Sequence, residues 1–163
     1  MKTYKDIVLT EILDTKVKVK VKMDAMGSFN ANFFVGKEEF AFDAHFLSSE
    51  ATDFPKGWDE GFEVSFSRWF KNEWQFDTLS NMSTREALTV FSGVKKCMDL
   101  WVKSMRRQDE PLDFFFTAKS AEASRSKLYD KFAKNIAKTL KLDGPVISKA
   151  AGKKFYAFED NNG

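Results

Sequence analysis

LDFFFTAKSAEASRSKLYDKFAKNIAKTLKL, residues Leu112–Leu142, decides the fold. Leu112–Thr117 is apolar on both faces, which suits a central strand covered on both sides. A short polar loop follows, then a helix expected from about Ala121 to Leu140. At about 100° per residue, Leu128, Tyr129, Phe132, Ile136 and Leu140 share one face of it, and Lys127, Lys131, Lys134, Lys138 and Lys141 gather on the other. Asp143-Gly144-Pro145 is expected to end this helix. Phe155–Phe158 reads as a last strand.

Working back toward the N-terminus, a capping box Ser83-Thr84-Arg85-Glu86 opens a second helix. Apolar residues from Ala87 to Met105 recur at helical spacing, so this helix is expected over about 83–107, with Lys103, Arg106 and Arg107 suited to its C-terminal dipole. The first half is a series of strands. Lys16–Met23 alternates strictly, with valines on one side and lysines on the other. Phe29, Ala31, Phe33 and Val35 line one face of the next strand, and Phe40, Phe42, Ala44 and Phe46 line the one after. The short gaps between them imply an antiparallel meander. A loop over 48–60 leads to a fourth strand with Phe62, Val64 and Phe66 inward, and the aromatic stretch Trp69–Phe76 extends that strand or begins a bulge.

The expected order is β-β-β-β-α-β-α-β. It is an α/β (α+β) architecture: one mixed, largely antiparallel sheet with two long helices packed on it. At 163 residues the chain is expected to be a single domain, with 1–15 a candidate N-terminal arm and 160–163 a loose tail. Hydrophobic residues make up 43% and charged residues 31%, the balance of a chain with a real core and a soluble surface. The 18 phenylalanines mostly alternate in the first half, as sheet core does.

Composition excludes several function classes. Cys97 is the only cysteine, so no intramolecular disulfide forms, and its place on a helix stripe reads as a buried inert thiol. His45 is the only histidine, too few for a Cys/His metal site. No Ser-His-acid constellation follows from spacing. No 18-residue apolar run exists, so no membrane partner is expected, and the N-terminus does not read as a signal peptide. Net charge is only +2, yet it is polarised. Between Lys37 and Glu63 eight carboxylates face two lysines; from Lys119 to Lys154 ten bases face three acids. The lysine face of the last helix is a candidate nucleic-acid contact through Lys127, Lys131, Lys134, Lys138 and Lys141, and equally a plain solvated face.

Element order and the passage SRSKLYDKF after the FFFTA strand resemble the later part of the GNAT N-acetyltransferase fold. In that family a strand, a polar loop and a helix patterned N-x-x-A-x-x-L-Y-x-K-x-G-F recur, and Ser124, Leu128, Tyr129, Lys131 and Phe132 stand at comparable places. The resemblance implies acetyl-CoA as cofactor and Tyr129 as general acid toward the coenzyme A thiolate. It places the pyrophosphate at the start of the first long helix, over Asn81, Ser83, Thr84 and Arg85, with Ser124 and Arg125 as further ligands. The family's glycine loop is missing there, because the passage reads Leu79-Ser80-Asn81-Met82-Ser83-Thr84-Arg85. Arg125 reads alternatively as a partner of Glu122, and Tyr129 as an amphipathic core residue. The stretch from Leu79 to Lys134 also resembles a group of small proteins of tailed bacteriophages, with a Ser/Asn/Thr-rich cap, a V-F-S/T-x-V helix and an S-R-x-K-L-Y-D helix. That likeness implies a phage accessory protein that binds a phage or host protein, in the virion or the host cytoplasm, and it brings no activity with it.

Overall fold

The computed structural model describes residues 19–23, 28–48, 54–75, 83–109, 112–119, 123–150 and 152–160. The candidate arm at 1–15 and Asn81 lie outside the described residues. Strands β1 (Val19–Met23), β2 (Phe29–Val35), β3 (Glu38–Leu47) and β4 (Gly61–Phe70) form the antiparallel meander that alternation predicts. β4 turns at Lys71-Asn72, both with positive φ, into the short β5 (Glu73–Gln75). Helix α1 (Thr84–Arg107) then crosses over to β6 (Leu112–Lys119), which runs parallel to β4. Helix α2 (Ala123–Leu140) follows, and the hairpin β7 (Asp143–Ala150) and β8 (Lys153–Asp160) comes last among the described residues. The order across the sheet is β1-β2-β3-β4-β6-β8-β7, with β5 paired to β4. The fold is thus α+β, with a mixed, mostly antiparallel sheet and two long helices.

Both helices lie on one face of the sheet. Phe29, Phe33, Phe40, Phe42, Val64, Phe114, Tyr156 and Phe158 share a core with Phe91, Trp101, Phe132 and Ile136 of the helices. Phe91 and Phe132 stack at 4.2 Å where α1 meets α2. Gly93 lets α1 descend onto the Phe33 ring. On the other face Phe115, Phe155 and Ala157 pack under Phe54 and Trp58. That explains why β6 is apolar on both sides.

Four expectations are corrected. The expected order lacked β5 and β7. Asp143-Gly144-Pro145 does not end the second helix. Lys141 does, with φ 57° and the Leu142 N–H donating to the Ala137 carbonyl, and Asp143 already begins β7. Phe46 is in phase with Phe40 and Phe42 but is 49% exposed, because it sits near the end of β3, away from the buried run. Ser83 caps the helix as predicted: its hydroxyl accepts from the Glu86 N–H at 3.2 Å, and Glu86 reaches back to that hydroxyl, which donates to its carboxylate at 3.1 Å.

Candidate functional site

β4 and β6 are parallel neighbours over two residue pairs only, Phe62↔Phe114 and Glu63↔Phe115. Beyond them the strands part. β3 holds one edge of β4 as far as Arg68, so β5, which also pairs at Arg68, must lie on the edge that faces β6. Among the described residues, Val64–Ser67 therefore has no strand partner on its β6 side. α1 lays Phe91 on Phe66 and, further along, Trp101 on Phe62, so it runs antiparallel to β4 and starts at this end of the sheet, where α2 also starts after β6. That is the end where crossover folds place ligands.

Four rings close the parting on its helix side. Phe66 meets Phe91 at 6.1 Å, Phe91 meets Tyr129 at 5.2 Å, and Tyr129 meets Phe116 at 6.4 Å. Tyr129 is half-buried, an amphipathic residue at the edge of the core. Beside it lies a polar cluster that sequence reasoning missed. Asp130 accepts from Lys154 Nζ at 2.7 Å and from the Tyr156 hydroxyl at 2.6 Å, and Lys154 also donates to Ser126 at 2.9 Å. Burial pushes the Asp130 carboxyl up, but hydrogen bonds from Lys154 and Tyr156 outweigh it and hold it below its usual range. Burial, then the bond to Asp130, push the Tyr156 phenol far above its usual range. The Tyr156 hydroxyl thus stays protonated at neutral pH and is engaged by Asp130.

The other predicted site residues divide as follows. Ser83 and Glu86 are engaged with each other, which sets a carboxylate at the start of α1 where an anion was expected. Thr84 is the first residue of α1, and Arg85 is exposed. Ser124 and Arg125 fall in the first turn of α2, and their side chains lie outside the described residues. Lys127, Lys131, Lys134, Lys138 and Lys141 are all exposed, as the helical spacing predicted. His45 is exposed at the sheet face, level with Glu63. Among the described residues no group of His, Cys, Asp and Glu could hold a metal, and no helix is long and apolar enough to cross a membrane.

The second feature missed is on the helix-free face of β2–β5. Trp69 and Trp74 pair directly across β4 and β5 with ring centroids 5.1 Å apart, and they are 41% and 38% exposed. Phe34, opposite Glu39, is 51% exposed. One signal was available: Phe34 is out of phase with Phe29, Ala31 and Phe33. No family model, no curated protein and no solved structure matches this chain.

Proposed function

We propose that this chain is a binding protein. In this reading it is a GNAT-like scaffold that serves a tailed bacteriophage as an accessory protein and acts by docking a phage or host protein. The observation that carries the reading is the helix-free sheet face. Its exposed Phe34, Trp69 and Trp74 are large aromatics on regular strands, and exposed aromatics of this kind are enriched at protein interfaces. The start of α1 supports it too, since Glu86 and the absence of glycine oppose a pyrophosphate there. Affinity capture from infected host cells, run with the wild type and with a Phe34→Ser/Trp69→Ser variant, tests it. A partner held by the wild type and lost by the variant supports the reading. Acetyl transfer by the pure protein overturns it.

A second reading, an acetyl-CoA-dependent N-acetyltransferase with Tyr129 as acid, is favoured by the strand order and by the parting of β4 from β6 beside Tyr129. It predicts acetyl-CoA binding that raises the melting temperature and is weakened in Arg85→Ala.

A further inference from the structure

The helix-free face has a charge pattern that narrows the partner's chemistry. On β2–β5 it carries Glu39, Asp43 and Glu63 among the described residues and no lysine or arginine. Glu39 pairs with Phe34, and the β3/β4 register carried one step further sets Glu39 level with Trp69, which in turn pairs with Trp74. Phe34, Glu39, Trp69 and Trp74 thus form one row across four strands, about 14 Å long at about 4.8 Å per strand spacing. The Glu39 carboxylate is held in place by Asn32, which donates to it at 2.7 Å. Lys20 and Lys22 pair with Asn32 and Asn30 from β1, about 10 Å from β3. The carboxylates and the two tryptophans therefore lie on β3–β5, and Phe34 lies on the neighbouring β2.

We propose that this row docks a lysine- or arginine-bearing extended segment of the partner protein. The proposal rests on the protein-binding reading above and names the partner's chemistry. A fixed carboxylate between exposed rings offers a cation both of its preferred neighbours, a counter-charge and a π face. A sugar is the weaker fit: Trp69 and Trp74 meet at 63°, so they form no continuous flat platform. The net charge of +2 gives a polycation no general attraction to this chain, so any binding must be local.

The test is titration of the full chain with hexa-arginine, followed by tryptophan fluorescence and calorimetry. Saturable binding is expected, weakening roughly tenfold between about 50 and about 300 mM salt. Glu39→Gln and Trp69→Ala should each weaken it about fivefold or more, and Arg107→Gln at the exposed end of α1, on the helix side of the sheet, should leave it unchanged. Three results would overturn the proposal: no saturation below about 1 mM peptide, equal binding by Glu39→Gln, or binding of hexa-glutamine or chitohexaose as tight as that of hexa-arginine. Salt-sensitive self-association of the protein alone, lost in Glu39→Gln, would also overturn it, because the occupant would then be a second copy. If hexa-arginine is ignored and acetyl-CoA is not turned over, only the cationic chemistry fails. If acetyl-CoA is turned over, the protein-binding reading itself fails.

Discussion

Gly93→Ala sets two local effects against each other, and the structure decides the sign. In a helix interior, glycine to alanine is favourable by about 1 kcal/mol. A Cβ at Gly93 would sit 2.9 Å from Phe33 Cζ and closer still to Cδ2 and Cε2. Phe33 has no room to retreat. Its ring is wholly buried and stacked on Phe40 at 5.3 Å, and its backbone is paired in β2 on both sides. Overpacking of this kind costs about 1–3 kcal/mol, and contact with three ring atoms argues for the upper end. The expected net loss is about 2 kcal/mol, or roughly 4–8 °C in melting temperature for a chain of this size. Urea unfolding followed by circular dichroism reads both midpoint and slope. Phe33→Leu shortens the ring's reach and should make Gly93→Ala neutral or stabilising, so the double-mutant cycle should show a coupling of about 2 kcal/mol. A Gly93→Ala variant more stable than wild type, or a coupling below about 0.5 kcal/mol, would refute the reasoning.

Three further outcomes follow from the polar contacts. Arg106 of α1 forks onto the Asp160 carboxylate at 2.8 and 3.1 Å and also donates to the Leu140 carbonyl at the end of α2. The Asp160 side chain is 2% exposed, so Arg106→Ala should cost about 3 kcal/mol in urea unfolding, and Arg106→Lys should recover only part of it. The lowered Asp130 contributes stability that is present above the unfolded carboxyl value of about 3.9 and lost as pH falls through its folded value; Asp130→Asn should flatten that acid limb in a pH-dependent melt. Burial pushes the Cys97 thiol up to about 12, so its contribution is full below about 8.5 and lost as pH rises through that window. Native protein should resist thiol labelling at neutral pH, and Cys97→Ala should flatten the alkaline limb of the same melt.

The sequence read well wherever one periodicity governed burial. Alternation in β2 and β3 matched the buried faces through Ala44, and the α2 stripe and its lysine face fell where a helical wheel put them. β7 escaped because it is an edge strand exposed on both sides. Asp143–Ala150 carries no alternation to find, and Val146 and Ile147 are apolar yet 68% and 40% exposed. β5 is three residues long, and only its turn with positive φ at Lys71 and Asn72 makes it a strand and not a continuation of β4. The Asp130 cluster could not be read, because its partners lie 24 and 26 residues away and meet only once α2 settles at a particular rotation over β8.

The charge asymmetry seen along the chain becomes a asymmetry between faces once the sheet separates them. The lysines of α2 point away from the core on one side of the molecule. Glu39, Asp43 and Glu63 lie on the other side of the sheet, where burial also raises the Asp43 carboxyl despite His45 nearby. A net charge of +2 therefore describes neither face. An encounter with a charged partner would be directional: an anionic surface would be drawn to the α2 side and a cationic segment to the sheet side. Salt should weaken both encounters, since both faces are exposed. Neutralising Lys127 and Lys131 should leave the sheet-side encounter intact, and Glu39→Gln should leave the helix-side encounter intact. A variant on one face that altered binding at the other would mean that both charge sets serve one partner wrapped around the sheet edge.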